Sequence, residues 1–254
     1  MFFEKRGNLF VGRFGQLFGN KAILHGFSTR EGGVSALPYD SLNVGFQTGD
    51  LDDHITENRR RLFQALEISS ERVAIPEQVH GDQIIKVDNP GRYSKADGLV
   101  TNHPEIALTV QTADCLPIFF YDPVQGVIGL IHAGWRGTVL EISQKTVTVM
   151  THHYRTKPEN LLIFFGPSIG PCCYTVGSDV AERFPEKYIS EGKLDLWQCN
   201  RDQLTHMGVD FHHIIMSRLC TVCHSKWFFS HRSSGGKTGR MVAVFMLKKK
   251  NLTL

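Results

Sequence analysis

Apolar runs alternate along this chain with short clusters of glycine, proline, asparagine and aspartate. The two clearest runs lie within residues 112–122 and 126–137 and are separated by an Asp-Pro dipeptide, which predicts two strands joined by a turn. Their apolar residues are nearly continuous, so both faces of each strand are expected to be buried. Cys115 comes before the first strand and His132 after the second. Because a buried strand has no structural use for either residue, these positions indicate a functional site.

The rest of the chain shows the periodicities of both helices and strands. One helix is predicted over about 52–66, with Asp52 or Asp53 as its cap. Another is predicted over 138–154, before a strand at 161–165. This order of strand, glycine turn, helix and strand predicts an α/β fold. Further strands are predicted at 9–11, 22–24, 72–75, 83–87, 96–101, 106–110, 211–216, 226–230 and 240–247, and further helices at 177–184 and 200–207.

Two of the predicted connections carry residues of chemical interest. The strands at 72–75 and 83–87 are expected to pair around a turn that contains His80. The glycine turn 134–137 lies near the start of the second helix, where free backbone N–H groups favour an anion. Arg136 in that turn is therefore expected to help hold one.

Size and charge narrow the class of protein. At 254 residues, of which 41% are hydrophobic, the chain can bury a substantial core, and a single domain over 1–254 is predicted because no linker divides it. The net charge of +3 is dispersed, which argues against a nucleic-acid partner, since phosphate-binding surfaces cluster their Lys and Arg. The basic run Lys248–Lys250 is expected to be a solvated tail.

The sequence indicates neither export nor a membrane partner. Charged residues interrupt the first apolar residues, and no window approaches the roughly 20 apolar residues of a membrane span. A cytoplasmic protein is therefore expected. Its six cysteines should be reduced and serve as core residues, metal ligands or nucleophiles rather than disulfides.

Cys220, Cys223 and His224 match the Cys-x-x-Cys-His pattern of covalent haem attachment. That chemistry belongs to exported proteins, so it does not fit a chain without an export signal. A structural zinc site would need a second pair of ligands, and none occurs at the usual spacing of a zinc finger. The roles of these cysteines, and of Cys172 and Cys173, are left unassigned.

His80, Cys115 and His132 remain as candidate metal ligands. Two imidazoles and a thiolate suit zinc, and three protein ligands leave a fourth position for water or substrate. On spacing alone, a buried thiol with two hydrogen-bonded histidines is the simpler interpretation. Two further alternatives stay open: a metal-free hydrolase or amidase with Cys115 as nucleophile and His132 as base, and a non-enzymatic metal-binding module.

Seven motifs follow one another along nearly the whole chain: Gln78–Gly81, Ala96–Thr101, Thr112–Ile118, His132–Gly137, Gly166–Tyr174, Phe229–Arg232 and Thr238–Arg240. Together they closely resemble the YfiH-like family, also called the laccase-domain or polyphenol oxidase family. The resemblance implies an α/β sandwich of mixed sheets flanked by helices. It also implies a single zinc ion held by His80, Cys115 and His132. Cys223 departs from the pattern, in which one cysteine is followed by threonine, as at Cys220.

The resemblance further implies chemistry on purine nucleosides. The expected reactions are phosphorolysis of adenosine, inosine and methylthioadenosine to free base and ribose 1-phosphate, and deamination of adenosine. Zinc would act as a Lewis acid, and Arg136 would help to hold phosphate. Asn43, Asp97 and Asp114 are the candidates for contacts to the ribose or to the ligating side chains. The acid or base for the purine ring is not identified, and the chain is expected to be a monomer or homodimer.

Two other activities are attached to the family and stay open. Polyphenol oxidation would use copper, but multicopper enzymes need many histidines arranged around several ions. The paired histidines here, His152-His153 and His212-His213, do not form such a set. Editing of peptidoglycan precursors is the other activity, and it is kept as a subsidiary role.

Overall fold

Two large sheets and the helices beside them form the framework of residues 1–249, the part of the chain that a computed structural model describes. The strands are β1 (Phe2–Arg6), β2 (Leu9–Arg13), β3 (Ile23–Ser28), β4 (Val73–Pro76), β5 (Ile84–Lys86), β6 (Gly91–Tyr93), β7 (Gly98–Thr101), β8 (Ala107–Thr112), β9 (Leu116–Asp122), β10 (Val127–Ala133), β11 (Leu162–Phe165), β12 (Ile189–Ser190), β13 (Lys193–Leu194), β14 (Ile214–Met216) and β15 (Met241–Leu247). The helices are α1 (Asp52–Ala65), α2 (Trp135–Val139), α3 (Ile142–Tyr154), α4 (Ser178–Ala181) and α5 (Leu196–His206).

Both large sheets mix parallel and antiparallel neighbours. The seven-stranded sheet has the order β1-β2-β3-β15-β8-β4-β6, and the six-stranded sheet has the order β14-β11-β9-β10-β7-β5. In the first sheet β4 runs parallel to β8 and β6. In the second, the pairs β5 with β7 and β11 with β14 are parallel. The predicted α/β class with mixed sheets is therefore confirmed.

The two sheets pack face to face around a core of aromatic side chains. Phe119 of β9 meets Phe245 of β15 edge to face, with ring centroids 5.4 Å apart. Phe164 of β11 and Phe27 of β3 belong to the same buried layer. All residues of β9, β10 and β15 are buried, as their continuous apolar runs predict for strands covered on both faces.

Helices cover the outer faces of this sandwich. α1 packs on the seven-stranded sheet, where Leu62 and Phe63 join a cluster with Val244 of β15. α3 and α5 lie on the six-stranded sheet, where Met150 and Leu204 join the outward-facing side chains of β9 and β10. The alternation of inner and outer side chains along β9 thus supplies both the core between the sheets and the contact with the helices.

The predicted helix at 52–66 is confirmed, but its predicted cap is not. The N-cap position is Leu51, and no side chain caps the helix there. Asp52 and Asp53 occupy the first turn instead. Their negative charges are favourable at that end because the free N–H groups carry partial positive charge. The helix therefore begins where the sequence predicts, through a different interaction.

The predicted helix at 138–154 is two helices. α2 spans Trp135–Val139 and α3 spans Ile142–Tyr154, and Glu141 between them has left-handed backbone with φ 61°. A left-handed residue cannot continue a right-handed helix, so the chain changes direction there. The glycine turn predicted at 134–137 is largely part of α2. The helix N-terminus predicted beside this turn is that of the five-residue α2, whose N-cap is Gly134.

Two predictions about strands are wrong. β4 and β5, the strands predicted at 72–75 and 83–87, belong to different sheets and do not pair. The turn that contains His80 therefore crosses from one sheet to the other. The segment 226–230 forms turns and irregular backbone rather than a strand, although Phe228 and Phe229 are fully buried. These side chains fill the core between the sheets without joining a ladder, and a pattern of apolar residues alone cannot separate the two cases.

The remaining helices exist with shifted bounds. α4 is shorter than the predicted 177–184, and α5 begins before the predicted 200–207. The earlier start of α5 has a local cause, because Asp195 accepts a hydrogen bond from the backbone N–H of Gln198 at 2.9 Å and caps the helix. At 211–216, only Ile214–Met216 form a strand, after a 3-10 turn.

The described residues also bear on the membrane and on the basic tail. Within residues 1–249, none of the helices combines the length and the apolar character needed to cross a bilayer. Lys248 and Lys249 are exposed, as predicted for a solvated tail, while Lys250 lies outside the described residues.

His25 on β3 makes the stability of this sheet sensitive to acid. Its side chain is 3% exposed, and Nε2 accepts a hydrogen bond from the backbone N–H of Phe14 at 2.8 Å, so the folded imidazole is neutral. Burial, assisted by the nearby charge of Arg13, lowers the pKa of His25 to about 3. In the unfolded chain the pKa returns to about 6.5. The unfolded state therefore gains a proton first, and stability falls as the pH drops below about 6.5.

We expect the His25 contribution to cost about 2 kcal/mol of unfolding free energy between pH 7 and pH 5. Glutamine places an acceptor near the position of Nε2 without titrating, so His25→Gln should lose about that much less over the same pH interval. Urea unfolding of both proteins at the two pH values measures the difference. Equal losses in the two proteins would show that His25 is not the group responsible.

Candidate metal centre

The hairpin of β9 and β10 brings two of the candidate ligands together. Cys115 directly precedes β9, and His132 is the last residue but one of β10. Their antiparallel register pairs His132 with Pro117, so the start of β9 lies beside the end of β10. The prediction that His132 follows its strand is wrong, since it lies inside β10 and is 3% exposed.

His80 reaches the same place from the turn between β4 and β5. Its backbone is left-handed, with φ 58°, a conformation that non-glycine residues keep only where their surroundings hold it. The carboxylate of Asp97 provides that hold by accepting hydrogen bonds from the N–H groups of Val79, His80 and Gly81 at 3.1, 3.0 and 2.7 Å. Asp97 lies just before β7, which pairs with β10. One side chain therefore connects the turn to the strand that carries His132.

The structure places the three candidate ligands around one point. One potential ligand atom from each of His80, Cys115 and His132 lies within 4.8 Å of the other two. A Cβ atom at Gly134 would lie 3.0 Å from the sulfur of Cys115 and 3.6 Å from Cδ2 of His80. Glycine therefore leaves room for both side chains. His80 is exposed whereas His132 is buried, so the group opens to solvent on the His80 side.

Asp97 also fixes the proton on His132. Its Oδ1 lies 2.8 Å from Nδ1 of His132, and Asp97 is completely buried. Because an ionised carboxylate only accepts hydrogen bonds, Nδ1 must carry the proton. In the neutral imidazole, Nε2 then carries the lone pair that a metal would bind. A carboxylate behind the ligating imidazole is the usual support of a protein metal ligand.

Electrostatics favour an anionic sulfur at this position. Burial opposes ionisation of Cys115, but the charges and hydrogen bonds of His132 and His80 outweigh it and lower the thiol pKa to about 6. Burial also opposes the charged form of His132, whereas Cys115 and Asp97 together raise its pKa to about 9. Burial opposes ionisation of Asp97 as well, but His132 and the backbone N–H groups leave its pKa below the ordinary value. A thiolate is the form of cysteine that binds metals.

The donor set fits a metal ion of intermediate softness. Two imidazole nitrogens and one thiolate sulfur suit zinc, and copper accepts the same ligand types. Three protein ligands are the number found at catalytic zinc sites, where the fourth position belongs to water or substrate. The buried hydrogen bond from His132 to Asp97 is what such a site requires of its surroundings.

Asp114 ties two loops to the turn that carries Cys115. Its backbone carbonyl accepts the N–H of Ile169 at 2.8 Å, Oδ1 accepts the hydroxyl of Thr221 at 2.6 Å, and Oδ2 accepts the N–H of Arg232 at 2.7 Å. These bonds make Asp114 a support of the site. Sequence reasoning gave Thr221 and Arg232 no role, because their bonds to Asp114 span more than a hundred residues.

Asn43 is buried, and the protein's own groups use its amide. Nδ2 donates to Thr48 and Asp50 at 3.0 and 2.9 Å, and Oδ1 accepts the N–H groups of Gly45 and Arg240 at 3.0 and 2.9 Å. An amide forms about four hydrogen bonds, so none is left for a ribose hydroxyl. The side chain holds the loop 43–50 and the backbone of Arg240 in place.

Arg240 is a cation that sequence reasoning did not select for the site. Burial lowers the pKa of its guanidinium, while the negative charges of Cys115 and Asp114 act in the opposite direction. Its charge therefore interacts with the group around Cys115. A single arginine at the start of a strand has no spacing that would reveal it, and only the family motif Thr238–Arg240 contained it.

Arg136, the predicted anion ligand, lies on the surface of α2. Its guanidinium stacks over the ring of Trp135, 4.2 Å from the ring centroid. Burial and the charge of Cys115 raise the pKa of Tyr174, and Arg232 and Arg136 act in the opposite direction. Arg136 therefore interacts electrostatically with the edge of the site, but it is exposed.

Comparison with known proteins places this arrangement in a family. The chain matches the family model described as multi-copper polyphenol oxidoreductase laccase over residues 24–248. It is 40% identical over 240 residues to a protein of Geobacillus stearothermophilus named purine nucleoside phosphorylase YlmD, covering 86% of this chain and 88% of that one. It is 38% identical over 231 residues to purine nucleoside phosphorylase YfiH of Escherichia coli, covering 87% and 92% of the two chains.

The fold agrees with that of solved relatives. The crystal structure of YlmD from Geobacillus stearothermophilus superimposes with a TM-score of 0.89 at 35% identity, covering 97% of this chain and 99% of that chain. The crystal structure of Bacillus licheniformis hypothetical protein YfiH superimposes with a TM-score of 0.88 at 34% identity, covering 97% of this chain and 99% of that chain. The chain therefore belongs to the laccase-domain family of YfiH and YlmD.

Proposed function

We propose that this protein is a zinc-dependent enzyme that splits purine nucleosides with phosphate, releasing the free base and ribose 1-phosphate. The observation that carries the proposal is the convergence of His80, Cys115 and His132 around one point, supported by Asp97. Relatives that cover most of this chain bear the name purine nucleoside phosphorylase. Zinc is preferred over copper because three ligands with one open position match a catalytic zinc site.

Phosphorolysis sets two requirements on the residues of the site. A phosphate oxygen must form a bond to C1′ while the bond from C1′ to the purine nitrogen breaks, and the departing base must take up a proton. Arg240 and Arg136 are the candidate cations for phosphate, since guanidinium groups form strong, directed bonds to its oxygens. Asp97 accepts the hydrogen bond of the Nδ1 proton, so that His132 would offer Nε2 to a metal, and it keeps the turn of His80 in place. Bound zinc supplies a Lewis acid.

The proposal extends to particular substrates and to a second reaction. Adenosine, inosine and methylthioadenosine are the proposed nucleosides, and deamination of adenosine at C6 is the proposed additional activity. The exposed side of His80 is the entry through which a nucleoside would approach.

A metal-free enzyme is the second candidate, and one observation favours it. Cys115 and His132 are neighbours, and Asp97 stands behind the imidazole. That order of thiol, imidazole and carboxylate is also the arrangement of a cysteine nucleophile with its base and orienting group. Such an enzyme would hydrolyse an ester or amide and would keep its activity after chelation.

The purified protein should release free base from adenosine, inosine or methylthioadenosine only when phosphate is present. Chromatographic separation of base, nucleoside and ribose 1-phosphate measures this, and inosine formed from adenosine measures deamination separately. Dialysis against a chelator should remove the activity, and added zinc should restore it. Base release without phosphate would make the enzyme a hydrolase, and undiminished activity after chelation would favour the cysteine nucleophile.

A further inference from the structure

Four cysteines outside the site described above come together from two loops. Cys172 and Cys173 follow β11, and Cys220 and Cys223 follow β14. β11 and β14 are parallel neighbours, and their pairing continues beyond the strands as a bridge between Ser168 and Cys220. The backbone bonds from Ser168 to Leu219 and from Thr221 to Ser168, at 3.2 and 3.0 Å, keep the two loops in register. Both loops therefore begin side by side at the carboxyl ends of these two strands.

The sulfur atoms are spaced as ligands of one ion would be. All four lie within 4.8 Å of one another, and the sulfur of Cys223 is 3.6 Å from that of Cys172 and 3.4 Å from that of Cys173. A tetrahedral zinc ion with bonds of about 2.3 Å places its sulfur ligands about 3.8 Å apart. Within residues 1–249, this is one of two clusters of His, Cys, Asp and Glu suited to a metal, and the other is the group of His80.

A backbone N–H group donates a hydrogen bond to the sulfur of Cys220, the most buried of the four cysteines. The N–H of Gly170 donates a hydrogen bond to the sulfur of Cys220 at 3.3 Å, and Cys220 is 3% exposed. Hydrogen bonds from the protein to a ligand sulfur stabilise the thiolate and are typical of metal sites. A Cβ atom at Gly170 would lie 2.8 Å from the ring of Trp197 and 3.3 Å from the sulfur of Cys172. Glycine thus allows the peptide to approach the cluster closely.

We propose that Cys172, Cys173, Cys220 and Cys223 bind one zinc ion in a closed structural site. Four soft sulfur donors in a tetrahedral arrangement select zinc or iron, and a site without an open position is the structural type. The ion would join the loop after β11 to the loop after β14. The second ligand pair that zinc-finger spacing does not supply is thus provided in space by Cys172 and Cys173.

The position of this site gives it a consequence for the first one. The two loops are those that Asp114 binds through Ile169 and Thr221, and Asp114 is the residue before Cys115. A metal that joins the loops would therefore also stabilise the position of Asp114 and of the neighbouring candidate ligand Cys115. The proposal does not depend on the nucleoside chemistry, since it rests on the cysteines alone.

Metal analysis of protein purified in reducing buffer without added metal tests the proposal. The double variant Cys172→Ser/Cys223→Ser changes the two exposed members, so the fold should survive. It should lose about one equivalent of zinc relative to the unchanged protein, whereas Cys115→Ala should keep that equivalent. The matched control is Cys199→Ala, which alters a buried cysteine of α5 outside both groups and should lose none. Equal metal content in the double variant and the unchanged protein would overturn the proposal.

X-ray absorption at the zinc edge gives an independent test in the Cys115→Ala protein. We expect four sulfur neighbours at about 2.3 Å and no nitrogen neighbours. Absence of zinc from this variant would also overturn the proposal. So would a disulfide among the four cysteines, which would lower the intact mass by two hydrogen atoms relative to the reduced protein. These outcomes are separate from any failure of the proposed function, because none of them uses a nucleoside.

Discussion

Replacing Cys115 with alanine should remove phosphorolysis and one bound metal ion together. Cys115 is the only sulfur donor among the three candidate ligands His80, Cys115 and His132, and its thiolate would balance part of the charge of a bound ion. Removing an outer partner of a metal ligand already costs about 10- to 100-fold in affinity or activity. Loss of a ligand should therefore lower the rate of base release by at least about 100-fold. Elemental analysis and the rate of base formation from inosine measure both effects.

The cysteine of α5 provides the matched control for this prediction. Cys199→Ala also removes a largely buried thiol, but Cys199 belongs neither to the group of His80, Cys115 and His132 nor to the four-cysteine group. The metal content and the rate of base release should therefore stay near those of the unchanged protein. If Cys115→Ala keeps its metal and loses only activity, the residue acts as a nucleophile rather than a ligand. Full activity in Cys115→Ala would remove the residue from the mechanism altogether.

Asp97→Asn should weaken metal binding by His80, Cys115 and His132, because Asp97 holds His132 and the turn of His80 in place. Its two oxygens accept four hydrogen bonds, three from the backbone N–H groups of residues 79–81 and one from His132. An asparagine NH2 group would face at least two of these donors. If His132 instead accepted a bond from that group at Nδ1, the proton would move to Nε2 and block metal binding. We expect metal affinity to fall by about 10- to 100-fold and stability by about 2–4 kcal/mol.

Asp122 at the opposite end of the same hairpin is the control for this change. It is also fully buried, and its Oδ1 accepts the N–H groups of Val124 and Gln125 at 2.9 and 3.0 Å. Its Oδ2 has no hydrogen-bond partner among residues 1–249, so an asparagine can place its NH2 group there. Competition with a zinc indicator should show unchanged affinity in Asp122→Asn and reduced affinity in Asp97→Asn. Equal affinities would mean that Asp97 does not position the ligands.

The parts of the site that the sequence predicts are those that lie on local structure. Continuous apolar runs around an Asp-Pro turn predict the β9–β10 hairpin, and the hairpin by itself places Cys115 near His132. Nothing local predicts that the His80 turn joins them. The family resemblance included His80, and the structure brings it there through Asp97. The roles of the three side chains as metal ligands stay a prediction until metal is measured.

The errors have a common physical origin in tertiary packing. The segment 226–230 is apolar because Phe228 and Phe229 fill the core between the sheets, so its composition resembles that of a strand. β4 and β5 are close in sequence, but each finds its partners in a different sheet. The break between α2 and α3 lies at Glu141, whose left-handed backbone carries no mark in the sequence. The four-cysteine group could not be predicted from the sequence for the same reason, since its two pairs of cysteines come together only through the pairing of β11 with β14.

The place of β15 determines when the seven-stranded sheet can close during synthesis. β15 pairs with β3 on one side and β8 on the other, and it joins the halves β1-β2-β3 and β8-β4-β6. On the ribosome these halves cannot be joined through β15 until Leu247 has left the exit tunnel. Until then the edges of β3 and β8 that pair with β15 are unpaired, and unpaired strand edges promote association between chains. The nascent protein is therefore most vulnerable to aggregation before β15 emerges.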